Sequence, residues 1–522
     1  MAYNRMAVYP TVKDISTIVQ ASGSTVGAIV IEADKGPLER TLVTTDKEFV
    51  DKYFVNNKPK SVSTWEQFSA LDFLQQGNRL WVMRISPGAT YGGIVVLAAD
   101  STGSAYALSS GVTDPSAYSF GTDEIFLIVG ANPGAWNNSI SVKISSSDID
   151  ETNDIITIHV YYTDANSNTT EVETWEVSRD PAALDGYGRS KYIEEVINEQ
   201  SDYIYVVDNT DIASSIYPEA IGTAALTFAS GAIGTAPTAS DYVTGWEQFD
   251  NRSDVSVNIL IGGGITETTV IQKMFTLAST RQDCFAFCDT PYGYEYDEAV
   301  TWRDTISLSS PSFGAFFHPW MTRTDTYTGR TIEVPMSGLA AAKAVYVDNT
   351  RNIWTSFAGT DDRGVLDVIE PVESLTTGAQ EHLFTNAINP VFFIPGRGVC
   401  VMGEKTAQKT ASALDSIPVR RLVNQLLTDV ADTLTAFLGL PNTSELRQQI
   451  SGIVDQYVRP IEKDGGLYAY QVVCNDTNNT STLIDQGILA VDLYIQPVRA
   501  VRFIKYQIVI TRTGVSFQEV AA

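Results

Sequence analysis

Apolar residues recur along this chain at two different periods, and the changes between them sketch its elements. Residues 26–33, VGAIVIEA, form an almost unbroken apolar run closed by the turn-like DKGP at 34–37, which predicts a strand buried on both faces. Residues 64–76 change to helical spacing, with Trp65, Phe68, Leu71, Phe73 and Leu74 set three or four positions apart along one side. LWVMRI at 80–85 is strand-like again, so the opening order is β-α-β, the pattern of a mixed α/β domain. From 87 to 245 Ser, Thr, Gly and Ala become common and short strands dominate: SISVKISS, IITIHVYYT and EVETWEVS. Ile156, Ile158, Val160 and Tyr162 share one face of the middle strand, and DANSNT at 164–169 reverses the chain. This stretch closes in the loose GTAPTASD at 234–241. The α/β pattern then resumes at 257, with VNILIG, CFAFCD and FGAFFHPW as strands and TTVIQKMFTLAST and EAVTWRDTISL as helices.

The last quarter differs. Residues 416–438 predict an amphipathic helix with Val419, Leu422, Val423, Leu426, Val430, Leu434 and Phe437 on one side. Ser416 is its expected cap, Pro418 suits its first turn, and Gly439 with Pro441 ends it. A second helix at 443–458 carries Leu446, Ile450, Ile453, Val454 and Tyr457. Strands follow at 467–474, 488–497 and 501–513, and the chain finishes in the β-prone VSFQEV. At the other end VYPTVKDISTIV, punctuated by Pro10, is also extended and β-prone. The expected architecture is a mixed α/β multidomain chain with extended terminal arms at 1–20 and 514–522. Its α/β core comes in two parts, 21–86 and 246–360, separated by a β-rich insertion at 87–245, and an α+β C-terminal domain occupies 361–513.

Length and charge narrow the function. A chain of 522 residues holds several cores, and 44% hydrophobic with 19% charged residues is a globular balance. With 62 acids against 35 bases, a net charge of −27 argues against a nucleic-acid partner, because phosphate contacts need Lys and Arg. The start MAYNRMAVYPTVKDI lacks an apolar segment after a basic one, so no signal peptide is expected. No apolar run approaches the ~18 residues of a membrane span. Cys284 and Cys288 sit about 13 Å apart along a strand, beyond the roughly 7 Å reach of a disulfide, and read as reduced core thiols.

Catalytic chemistry finds no foothold. The three histidines, His159, His318 and His382, are scattered, and HExxH, CxxC and GxSxG are all absent. The most enzyme-like feature is IGGGITET at 261–268, a glycine-rich turn between strand and helix that could cradle phosphate. Its spacing places Glu267 where the dinucleotide fingerprint needs a third glycine after Gly262 and Gly264, and a carboxylate there repels phosphate. A tight turn, with Thr266 and Glu267 opening the next helix, is the simpler reading. SSDIDET at 146–152 is a solvated loop without an EF-hand pattern. No cofactor, metal or catalytic residue is expected.

One series in the last quarter carries a specific resemblance. Pro395-Gly396-Arg397-Gly398, Pro418-Val419-Arg420-Arg421, Val473 to Asn479, and Thr511 to Gly514 resemble the C-terminal core of contractile-tail sheath proteins. Pro418 stands where that family often has Asn. FLQQGNRLWVMRI at 73–85, DGYGRSKYIEEVINEQSDYI at 185–204 and VPMSGLAAAKAVYVDNTRNIW also look like sheath segments. The resemblance implies a non-enzymatic virion-tail subunit, assembled in the host cytoplasm as a helical homo-oligomer of six-fold rings. It implies contacts with the tail tube protein, the baseplate and the tail terminator, and contraction by rigid-body rearrangement. The C-terminal domain would face the tube and the insertion would face outward.

It also bears on the two β-prone ends. Such ends either complete their own sheet or add strands to a neighbour, and the resemblance implies the second. The arm residues are then Val8, Tyr9, Val12, Ile15 and Ile18 at the start and Val515, Phe517 and Val520 at the end. Arg447, Arg459 and Lys463 form a basic island on the second C-terminal helix. They complement the helix dipole or, as the resemblance implies, grip an acidic tube. Three alternatives remain: a related sheath, of a tailocin, an extracellular contractile system or a type VI secretion system; an α/β nucleotide-binding enzyme using the Gly262–Gly264 turn; and a surface adhesin.

Overall fold

The computed structural model describes residues 25–55, 65–99, 101, 103–221 and 224–503. The chain divides into two compact units, Met1–Pro441 and Asn442–Ala522.

The first unit is organised on an eight-stranded sheet. Its order is Thr41–Val43, Leu80–Ile85, Gly27–Glu32, Ile259–Ile261, Phe285–Asp289, Gly314–His318, Ile388–Ile394 and Gly398–Val401. The six inner strands run parallel and the two outer ones antiparallel. Gly27–Glu32 is flanked by a strand from each side of the long intervening region, so the interrupted α/β pattern closes into one sheet. Helices cover both faces, which is why its strands read as continuous apolar runs. Ile29, Ile31, Phe285 and Phe287 face one core, while Ala28, Val30, Ala286 and Cys288 face the other. Cys284 and Cys288 are both buried free thiols.

Helix Trp65–Leu74 departs from the expected amphipathic stripe. Glu66, Gln67, Ser69 and Asp72 are buried along with its apolar residues. The cause is a partner helix, Met336–Thr350, laid against its polar side. Gly338 makes the approach possible, because a Cβ there would come within 2.5 Å of the Ser69 Cα. Asp72 is then neutralised by Arg323, whose guanidinium lies over the Phe68 ring.

Between Ile85 and Ile259 the chain builds two antiparallel sheets, of four and five strands. They share a core of Ile94, Phe126, Ile128, Ile140, Ile158 and Val160. Ile156, Ile158 and Val160 do alternate on the buried face, while His159 points the other way and pairs with Glu171 at 2.7 Å. Asp164 fastens the 164–168 turn by accepting from the amides of Asn166 and Asn168. The stretch expected to stay loose to 241 instead starts a helix, Ala239–Glu247, because Thr238 and Asp241 form a capping box.

Residues 361–441, expected in the C-terminal domain, lie within the first compact unit. Strand Ile388–Ile394 pairs parallel with Gly314–His318, and helix Ile417–Thr435 is fastened to that unit by polar groups. Arg421 pairs with Asp348, and the Asn424 amide donates to the Cys284 carbonyl at 2.8 Å. Pro418 stands in the first turn as expected, but the helix stops at Thr435. Ser416 flanks it without a side-chain capping bond to the helix, and its hydroxyl turns to Glu404.

Candidate assembly interface

Among the described residues the second unit is built from one long helix, one short helix and a two-stranded sheet. Helix Ser444–Lys463 starts where the Thr443 hydroxyl accepts from the Leu446 amide at 3.2 Å. It extends five residues past the expected end at 458, and Pro460 lies within it. Its buried stripe is Leu446, Ile450, Ile453, Val454, Val458 and Ile461. Strands Leu467–Val473 and Asp492–Pro497 run antiparallel, pairing Tyr470 with Ile495 and Val472 with Leu493. The Tyr470 hydroxyl reaches back to Asp455 on the helix at 2.6 Å. The second strand starts at Asp492 rather than 488, because the connection before it holds the short helix Ser481–Asp485 and is closed by side-chain bonds. There the Asn479 amide group donates to the Ala490 carbonyl at 2.9 Å and its oxygen accepts the Ala490 amide at 2.7 Å. Asn478 bridges the Val473 carbonyl and the Asp492 carboxylate. The paired asparagines at 478–479 are thus architectural, closing the connection between the two strands.

Among the described residues neither outer edge of this sheet pairs with a further strand. Tyr468 and Tyr494 are 72% and 60% exposed, and Val501 and Phe503 beyond the second strand are 79% and 77% exposed. Open backbone edges beside exposed aromatics form a template for an incoming strand. The first unit handles its longest edge differently. Strand Thr169–Val177 carries Glu171, Glu173 and Glu176 and a register shift between Glu171 and Glu173, both of which discourage strand addition.

The expected arm residues Val8, Tyr9, Val12, Ile15, Ile18, Val515, Phe517 and Val520 lie outside the described residues. The basic trio separates. Arg447 is buried, donating to the Asn442 side chain at 2.8 Å and to Asp476 at 2.7 Å, so it holds the unit together rather than facing a partner. Arg459 is exposed and paired one turn back with Asp455, and Lys463 is exposed in the helix's last turn. Arg447 looked like its neighbours in sequence; only the Asp476 and Asn442 positions, distant along the chain, separate it.

The glycine-rich turn is filled from within. Gly263 and Gly264 adopt φ of +64° and +86°, and Glu267 flanks the following helix Thr268–Arg281. Their amides donate to the Ser337 hydroxyl and the Asp289 carboxylate, each at 3.0 Å. The other Asp289 oxygen accepts the Ser337 amide at 2.7 Å. A protein carboxylate therefore holds the donors that a phosphate would use. His318 is enclosed between Thr290 and Glu373, while His382 stacks edge-on to Tyr296. No group of three or more His, Cys, Asp or Glu side chains could hold a metal among the described residues. Within them no helix is long and apolar enough to cross a membrane.

Residues 409–511 match the phage tail sheath C-terminal domain family. The chain is 29% identical over 376 residues to the tail sheath protein of Enterobacteria phage T4, covering 67% of this chain and 56% of that protein. It is 28% identical over 375 residues to the tail sheath protein of Vibrio phage KVP40, covering 67% and 54%. The aligned part thus spans little more than half the length of these curated relatives. The crystal structure of a sheath tail protein from Desulfitobacterium hafniense shares the fold with a TM-score of 0.58 at 12% identity, across 95% of this chain and 97% of that one. The contracted sheath of the extracellular contractile injection system PVC gives a TM-score of 0.54 at 14% identity, across 98% of both chains. The chain thus matches the phage tail sheath C-terminal domain family over residues 409–511 and is similar in sequence to phage tail sheath proteins over 67% of its length.

Proposed function

We propose that this chain is the structural subunit of a contractile tail sheath and catalyses no reaction. It polymerises helically around a tail tube and drives the tube through a host envelope when the lattice contracts. The observation that carries this reading is the two-stranded sheet of the second unit, whose outer edges pair with no further strand among the described residues and are flanked by exposed aromatic residues. An arm from 8–19 of one neighbour and the 515–520 tail of another would add strands to those edges. Contacts of this head-to-tail kind generate a helical lattice where they do not close into a small ring. Strands joined by backbone hydrogen bonds would keep subunits tethered while the rigid bodies rotate between two lattices.

In this reading the β-rich region 87–245 faces outward, and Arg459 and Lys463 face the tube. Baseplate and tail terminator cap the two ends, and the assembled protein resides in the virion tail. Similarity to the PVC sheath supports a related injection machine as the second reading, with the same subunit mechanics.

Electron microscopy of the purified chain beside versions lacking 1–20 or 514–522 tests the proposal. Hollow helical tubes from the full chain and dispersed subunits from both truncations are expected. Tubes from either truncated form would refute strand exchange through that end.

A further inference from the structure

The buried arginines of the first unit are matched to acceptors, with one exception among the described residues. Arg179 pairs with Asp208, Arg281 with Asp283 and Arg421 with Asp348, while Arg84 and Arg303 donate to backbone carbonyls. Arg420 stands one position before Arg421 on helix Ile417–Thr435 and is 6% exposed. No acid acts on it: burial alone pushes its guanidinium down to about 10.

The side chain is nevertheless fixed. Its guanidinium lies over the Phe313 ring, 3.7 Å from the centroid, and its Nε donates to the Asn424 side-chain oxygen at 2.9 Å. Asn424 is itself fastened, since its amide group donates to the Cys284 carbonyl at 2.8 Å. Only the two terminal nitrogens are left over. Among the described residues neither has a hydrogen-bond partner, and neither is sealed from solvent. With one face stacked and Nε engaged, the free end of the guanidinium offers two parallel N–H groups, the spacing that meets both oxygens of a carboxylate. The cation is ordered before any partner arrives, so a carboxylate gains a charge-assisted pair without immobilising a long side chain. Carboxylates are also the charged groups this chain has most of, with 62 acids against 35 bases.

We infer that Arg420 is a docking point for a side-chain carboxylate of a second copy of this chain. The contact rests on the reading of the chain as a self-assembling subunit. It adds to that assembly a polar contact on the first unit, separate from the strand exchange proposed for the second. A single two-pronged charge pair of this kind fixes the register of two copies more than it supplies their affinity.

Phenylglyoxal footprinting of the full-length wild-type chain, read residue by residue by mass spectrometry, tests this, because the reagent attacks the terminal nitrogens of arginine. In dilute, dispersed subunits Arg420 should react at least about tenfold faster than Arg421, whose terminal nitrogens are held by Asp348. As protein concentration rises and sedimentation shows association, Arg420 should slow at least about fivefold, while Arg189 on the insertion, 77% exposed, keeps its rate. Arg420→Lys keeps the charge but not the fork, and should raise the concentration needed for association about tenfold. Arg420 reacting no faster than Arg421 in dilute subunits, or Arg420→Lys associating at the wild-type concentration, overturns the inference. Protection by free acetate with none from a second copy marks an adventitious ion only and overturns it too. Association that leaves Arg420 reactive removes this contact and leaves the proposed function standing, whereas no association at any concentration counts against both.

Discussion

Asp289, at the carboxyl end of a central strand, shows how individual residues set what this fold can do. It is fully buried, and burial pushes its carboxyl up to about 6 against the opposing effect of the Ser337 and Gly264 donors. Because the folded value lies above the ordinary carboxylate range, the native state binds the proton more tightly than the unfolded chain. Its contribution to stability is thus complete below pH ~4 and lost as pH rises through about 6. The stability advantage of wild type over Asp289→Asn should therefore fall by up to about 3 kcal/mol between pH 4 and 7. Paired denaturant titrations across that range measure it, and a pH-independent difference would show that Asp289 is ionised throughout. Arg84 belongs to the same class of buried polar fastener, donating to the carbonyls of Ala33, Gly36 and Pro133. Neither role was readable from the sequence, since the partners of a buried charge come from remote segments.

At the scale of elements, legibility followed the strength of the local pattern. Strands such as Gly27–Glu32 and Phe285–Asp289 stood out because a sheet covered on both faces demands continuous apolar runs. Helix Ser444–Lys463 stood out because its one buried face repeats at helical spacing. Helix Trp65–Leu74 was placed correctly but its environment was not, because Gly338 on a remote helix decides how closely the two can pack. The boundary expected at 361 moved to 441 for a related reason. Arg420, Arg421 and Asn424 look like a solvent face, yet all three are buried in the first unit. That the edges of Leu467–Val473 and Asp492–Pro497 pair with no further strand among the described residues could not be read from sequence either, since pairing is a property of the sheet. A substitution separates their two roles. Tyr494→Asp should leave subunit stability within about 0.5 kcal/mol, as for most surface changes, while abolishing tubes in micrographs. Normal tubes from that variant would remove the open sheet from the interface.

For the whole molecule, charge governs how subunits meet their surroundings. A net charge of −27 keeps free subunits apart, and the exposed Arg459 and Lys463 supply local exceptions to it. In the proposed tube contact these exposed charges would make a weak, salt-screened grip, of the kind that a contracting lattice could break. Reversing both, Arg459→Glu with Lys463→Glu, should weaken binding to a tail tube at low salt by about tenfold, with a smaller effect at high salt. Co-sedimentation of sheath with tube across a salt series reads this out, and unchanged binding at every salt concentration would clear these residues of the role. The central claim concerns the lattice itself, and electron cryo-microscopy of assembled tubes tests it most directly. The prediction is a four-stranded sheet in each subunit, with strands from two neighbours added to Leu467–Val473 and Asp492–Pro497. Tubes in which both edges remain bare, with subunits joined through other surfaces, would contradict it.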